Sequence, residues 1–408
     1  MTDLTVKDQR KHRLNFPPGE AAIDSIIQSA TKNAIPFALW SLPGEKTKHL
    51  LLNLSGNCGA YTESLENLPA GFIFSPFSKE EEHIFIPADL LITFSKELPA
   101  PTISISNATV RAIAENFIEA ALKPSEARQK YYPAQIENED IKKAGFLGIV
   151  STALEYIQKG VFEKVVPSRT KTIAIPPDFD VIHAYKSLCD IYENAFVSLV
   201  AIPGLGTWMG ATPETLIAVD QQFFHTEALA GTQPTRAGEH LADTAWTQKE
   251  IEEQAMVSRY IINCFKKIRL REYEEYGPKT TVAGNLLHLK TVYKVDLQAT
   301  RFPQLGSVML ELLHPTSAVC GMPKDEALTF LLAHEKYDRS FYSGFLGPVN
   351  IDAKTNLYVN LRCMQLGQDS AVLYAGAGVT ADSNPEKEWL ETEMKFNTLL
   401  NVIKSSLP

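Results

Sequence analysis

The sequence predicts an α+β fold, with large antiparallel sheets packed together and helices outside. Three features carry that expectation. From residue 164 onward, short segments rich in β-branched residues follow one another with few helices between them, which favours antiparallel pairing. An apolar stripe of helical period precedes them, at Phe146, Ile149, Val150, Ala153, Leu154 and Ile157. Two long helical segments follow, near 247–270 and 385–403.

Residues 1–140 carry short apolar runs, such as 34–40 and 71–74, punctuated by Pro and Gly, which read as short strands and turns. A helix is expected near Thr109–Leu122, ended by Lys123-Pro124, because the residue before proline disfavours helical backbone. The polar segment Ser125 to Glu137 is the expected connection. It divides an N-terminal part, 1–135, from a patterned region, 140–405. There Gly160 stops the first helix and Lys164–Ile175 reads as one strand. Further strands are expected at 195–202, 207–211, 216–219 and 223–228, and later at 357–365 and 372–379. Thr247 and Glu250 form a capping box, and Asn384-Pro385 supplies the cap and first residue of the last helix.

With 408 residues, 45% of them hydrophobic, the chain can bury a substantial core. Its 39 basic and 48 acidic side chains give a net charge of −9 with no basic block, which excludes nucleic acid or an anionic membrane as the main partner. A small anion needs only local positive charge and stays open. Five scattered cysteines without a CxxC read as reduced thiols. The polar N-terminus lacks the apolar core of a signal peptide, and no run is long enough to span a membrane, so a cytoplasmic location is the default expectation.

Several side chains have both a structural and a chemical reading. Glu253 shares a helix face with Val257, Tyr260 and Ile261, so it is either a solvated rim residue or bound to something. Glu388, Glu391 and Lys395 share one face of the last helix. Glu391 and Lys395 suit a surface ion pair, while Glu253 and Glu391 could converge on a hard cation such as Mg²⁺, which takes one or two carboxylates plus waters and an anionic substrate. Lys164 begins a strand, where a lysine is ordinarily solvated; buried, it would be a usable general base. Glu214 follows the turn Gly210-Ala211-Thr212-Pro213, and Ala228 to Thr232 ends a strand in a Gly-Thr turn able to meet an anion. Zinc spacing, a dinucleotide fingerprint and a GxSxG motif are all missing from the sequence.

In order, Lys164-Val165-Val166-Pro167-Ser168-Arg169, Gly210 to Glu214, Ala228 to Thr232, His314-Pro315-Thr316 through Gly321, and Ala375 to Gly378 leading into Glu388–Glu391 resemble the chorismate-binding enzymes over roughly 140–403. The resemblance implies two antiparallel sheets packed together with a deep active-site cleft. It implies Lys164 as general base for water attack at C2 of chorismate and Glu214 as general acid at the C4 hydroxyl. Glu253 and Glu391, with Glu388 close by, are implied as Mg²⁺ ligands. Arg362 would grip the enolpyruvyl carboxylate, Gly231, Thr232 and Gly378 would supply backbone contacts, and His288 would lie near the ring carboxylate.

Ala230, where one type of aminodeoxychorismate synthase carries lysine, is implied to exclude a covalent amine route. Ala318, where pyruvate-eliminating relatives carry threonine, resembles isochorismate synthases, whose product feeds menaquinone or catechol siderophore biosynthesis. The alternatives are a salicylate synthase, an anthranilate synthase component, or an inactive chorismate-binding scaffold. A monomer without an obligatory glutaminase subunit is expected. Pro167, where relatives usually have leucine, puts the pairing of its strand in question.

Overall fold

The computed structural model describes residues 20–405 except 96, 99, 124–129, 137–139, 177, 235–240 and 284–285. The expected connection Ser125 to Glu137 therefore lies partly outside the described residues, which include 130–136 of it. Two nine-stranded sheets, every described pairing antiparallel, form the body of the molecule. The first sheet runs in the order Thr102–Ile105, Leu90–Phe94, Lys48–Leu52, Phe37–Ser41, Phe196–Ile202, Gly206–Thr212, Cys363–Leu366, Ser370–Gly376, Ser168–Ala174. The second runs Glu274–Ala283, Leu286–Asp296, Phe223–Pro234, Thr215–Val219, Thr355–Val359, Phe345–Val349, Gly71–Ser75, Ile84–Pro87, Gly59–Ala60. Strands from before residue 106 thus sit in both sheets beside strands from beyond 190, and the two parts of the chain share one framework.

Strand alternation explains the layers. In Phe37–Ser41, Phe37 and Leu39 point to one core while Ala38 and Trp40 point to another. Ala38, Trp40, Phe196 and Trp208 of the first sheet meet Phe72, Phe74, Leu346 and Tyr358 of the second in an aromatic layer between the sheets. There Phe196 stacks on Tyr358 with ring centroids 4.2 Å apart. Phe37, Leu39, Val197 and Leu199 face outward against the helices Ala21–Lys32, Ala108–Ala121, Val181–Ile191 and Pro385–Ser405. The second sheet's outer face is covered by Gln248–Lys267 and Leu305–Leu313. Because both faces are covered, a strand such as Phe196–Ile202 is buried at every residue and reads as an apolar run broken only by Ser198.

Three expected elements differ from those observed. Lys164–Ile175 is two strands: Lys164–Val165 pairs with Gly321–Met322 in a separate small sheet, and Ser168–Ala174 pairs with Ser370–Gly376. Pro167 lies between them, where a missing N–H cannot interrupt a ladder. Residues 357–365 likewise divide into Thr355–Val359 of the second sheet and Cys363–Leu366 of the first, with Arg362 between them at φ +49°. Ala228 to Thr232 does not end a strand. Phe223–Pro234 continues through it with a bulge between Ala230 and Gln233, and Gly231 takes φ +70°, which glycine adopts without steric cost.

Candidate active site

The cleft is built where the chain passes from one sheet to another. Pro213-Glu214 joins Gly206–Thr212 of the first sheet to Thr215–Val219 of the second, and residues 360–362 make the reverse passage. The two crossings are tied together: Val359 N–H donates to the Glu214 carbonyl (3.0 Å), Ala211 N–H to the Arg362 carbonyl (3.1 Å), and the Thr212 hydroxyl to the Val359 carbonyl (2.6 Å). A cleft of about 690 Å³, its open mouth included, lies against them. Lys164, Glu214, Gly231, Thr232, Glu253, His288, Ala318, Arg362, Gly378 and Glu391 all line it. Glu388 does not.

Lys164 is fully buried, contrary to the ordinary fate of a lysine at a strand end. Its ammonium donates to Glu253 Oε1 at 3.0 Å. Glu253 projects from Gln248–Lys267, whose start is fixed by Thr247 N–H donating to Glu250 Oε2 at 2.7 Å. Burial alone would raise the Glu253 carboxyl, but Lys164, with Lys395 and Lys249 farther off, brings it below its ordinary value. Val379 N–H donates to the Val165 carbonyl (2.8 Å), which draws Gly378 alongside this pair. A Cβ on residue 378 would lie 2.6 Å from Glu253 Oε1 and 3.2 Å from Lys164 Cε, so glycine is required by close approach.

Glu214 is buried, and among the described residues no side chain or backbone group hydrogen-bonds its carboxyl. Burial pushes it up to about 7, against the opposing pull of Lys164, Lys395 and Arg362. On another wall, His288 Nδ1 lies 2.7 Å from the Gly231 carbonyl, which can only accept, so the proton sits on Nδ1. Its buried Nε2 has no partner among the described residues. Burial and the Arg362 charge press the imidazole down to about 3, so it meets the cleft neutral.

Arg362 reaches the cleft with its guanidinium making no ion pair or hydrogen bond among the described residues, and burial lowers it from its ordinary value. A desolvated cation in that state suits an anionic ligand. The last helix adds Glu391, paired to Lys395 at 2.7 Å, and Lys395 also donates to the Gly376 carbonyl at 2.7 Å. The surface pair expected for Glu391 and Lys395 forms, but it faces the cleft. Sequence reasoning passed over Lys395 as a cleft cation and Tyr342 and Tyr374 as walls. Lys395 could have been found from its position on the Glu388–Glu391 face; no local signal marks the tyrosines.

Glu388, one turn from Glu391, accepts from Lys249 at 2.7 Å, and its buried Oε2 makes no hydrogen bond among the described residues. Burial and the neighbouring Glu391 charge raise its carboxyl. An unsatisfied acceptor beside mutually repelling carboxylates fits a cation. No group of three ligating side chains is pre-assembled among the described residues.

The chorismate binding enzyme family model matches residues 71–404. The chain belongs to this family. Among curated relatives, the vibriobactin-specific isochorismate synthase of Vibrio cholerae is 26% identical over 62% of this chain, and the alignment spans 64% of that protein. The isochorismate synthase DhbC of Bacillus subtilis is 28% identical over 69% of this chain and 72% of its own. The chorismate-binding fold is shared with the menaquinone-specific isochorismate synthase MenF of Escherichia coli (TM-score 0.75, 21% identity, 95% of this chain and 92% of that one). It is also shared with anthranilate synthase component I of Streptococcus pneumoniae (TM-score 0.66, 19% identity, 89% of each chain). Among the described residues, no helix is long and apolar enough to cross a membrane.

Proposed function

We propose that this chorismate-binding enzyme is an isochorismate synthase. The observation that carries the reading is one cleft in which a buried lysine, Lys164, and a buried carboxyl pushed up to about 7, Glu214, face the same space. As the free amine, its ammonium proton having passed to bulk water beforehand, Lys164 takes a proton from water as its oxygen bonds to C2 of chorismate. Both ring double bonds shift in turn, C1=C2 to C1=C6 and C5=C6 to C4=C5, the C4–O bond breaks, and Glu214 gives its proton to the departing hydroxyl, which leaves as water. Acid and base contributions of this kind are each worth roughly 10²–10⁴ in rate. An acid near 7 holds its proton at neutral pH yet releases it readily, which supports Glu214 in that role.

Arg362 grips the enolpyruvyl carboxylate, a task suited to a planar guanidinium with no competing partner. The ring carboxylate lies toward His288, with Gly231, Thr232 and Gly378 contributing backbone contacts. Glu253 and Glu391, with Glu388 behind them, would hold Mg²⁺. Bound there it would neutralise the ring carboxylate and act as a Lewis acid. Ala318 in the cleft wall supports a reaction that stops at isochorismate, and the relatives named above as isochorismate synthases support the same choice.

The test is purified protein with chorismate and Mg²⁺, and product separation by chromatography. Isochorismate should form without added ammonia or a second subunit. Salicylate plus pyruvate, or anthranilate once ammonia is added, would overturn the assignment. Lys164→Ala should abolish turnover while the circular dichroism spectrum is retained; substantial residual activity removes Lys164 as the base.

A further inference from the structure

Behind Glu214, and sharing only that residue with the cleft among the described residues, lies a second, narrower cavity. It has about 10 Å³ available to the centre of a water molecule, room for one water. Glu214 borders both spaces. The remaining polar walls are Thr215, Thr226, Glu227, Tyr260 and Thr316. The Thr226 hydroxyl already donates to the Leu216 carbonyl (2.7 Å) and the Tyr260 hydroxyl to the Leu312 carbonyl (2.9 Å), so both offer only lone pairs to the cavity. The Thr316 hydroxyl, on a residue more than nine-tenths buried, has no partner among the described residues. Glu227 is paired with Lys290 at 2.9 Å, which fixes where the negative charge of this back wall sits.

We propose that Glu227 is a positioning residue for the proton of Glu214, acting across this cavity through a single bridging water. The water accepts from protonated Glu214 and from Thr316, and donates to the Glu227 carboxylate. The inference rests on Glu214 being the general acid. Among the described residues, Lys164 from the small sheet, Lys395 from the last helix and Arg362 from the sheet crossing act on Glu214 from the cleft, while Lys290 lies with Glu227 behind it. All three cleft cations favour its ionised form. Glu253, Glu391 and the neutral His288 line the same cleft. Glu227 is the carboxylate facing Glu214 from behind, and its charge opposes the three cations and keeps the proton on Glu214.

The experiment is the pH profile of kcat/KM for the wild type and Glu227→Gln. The wild-type alkaline limb should lie near 7, and in Glu227→Gln it should move down by about one pH unit. Rates then agree below both limbs and differ about tenfold above them. An unmoved limb, or an equal loss at every pH, overturns the proposal, since a merely structural role lowers the whole profile. Thr316→Val removes the donor to the water and no charge. It should move the limb in the same direction by less, and it decides the question should Glu227→Gln fail to fold, an unmoved limb then counting against the proposal. Glu214→Gln separates the two readings: if it keeps both turnover and the alkaline limb, Glu214 is not the acid, whatever Glu227 does.

Discussion

Glu214→Gln should cost activity and add stability, and the added stability should depend on pH. In the folded protein burial pushes the Glu214 carboxyl from its ordinary 4.5 to about 7. Between these values the folded chain holds a proton that the unfolded chain has released, so stability falls as pH rises through this window and levels off above about 7. At about 1.4 kcal/mol per pH unit, this ionisation should make the wild type about 2–3 kcal/mol less stable at pH 8 than at pH 5. Glutamine cannot ionise. Its buried amide costs about 1 kcal/mol or more where unsatisfied, but that cost is the same at both pH values. Urea unfolding of both proteins at pH 5 and pH 8 therefore isolates the ionisation as a double difference. The variant should gain about 2–3 kcal/mol on the wild type between pH 5 and pH 8, while turnover falls roughly 10²–10⁴-fold. A double difference near zero would refute the claim that this carboxyl is desolvated in the native state.

Gly378→Ala should reduce kcat by about 10²-fold, because its Cβ would meet Glu253 Oε1 at 2.6 Å and displace the Lys164–Glu253 pair; unchanged kinetics would show that the pair has room to yield. Arg362→Lys should raise KM about tenfold or more, since an ammonium cannot reproduce a bidentate grip, and a KM equal to wild type removes Arg362 from substrate binding. EDTA should silence the enzyme and Mg²⁺ restore it, and turnover that persists in EDTA counts against the paired glutamates. The His288 imidazole, pressed down to about 3, should show no NMR titration between pH 5 and 8. A midpoint near 6.5 would mean that water reaches it freely.

What the sequence made legible, and what it hid, follows from how the cleft is assembled. Helix boundaries and caps depend on near neighbours, so the Thr247–Glu250 box and the Asn384 cap could be read directly, and both form. Mostly apolar runs such as 196–202 announced strands but not which sheet they join, because strands covered on both faces lose their alternation. The chemical residues were hardest to weigh for the same reason. Lys164 precedes a break between sheets, while Glu214 and Arg362 occupy passages from one sheet to the other. At such points neither the two-residue nor the 3.6-residue period says which way a side chain faces. Locally Lys164 looks like a solvated charge at a strand end, Glu214 like a turn carboxylate and Arg362 like one residue within a strand, and only the tertiary pairing of one passage with another turns all three into one buried cleft. Ordered motifs carried the family resemblance where single residues could not, and two of them, Lys164 to Arg169 and Gly210 to Glu214, span a passage together with the strand ends that fix it. A substitution that leaves the charged residue intact but alters its passage, such as one at Gly210, whose Cβ would press on Cys363 and the Arg362 carbonyl at 2.9–3.0 Å, should therefore damage the cleft as surely as loss of Glu214 or Arg362. Gly210→Ala ought to lower kcat and raise KM together, because it shifts both crossings at once, and wild-type values for both constants would break the link between sheet passage and site.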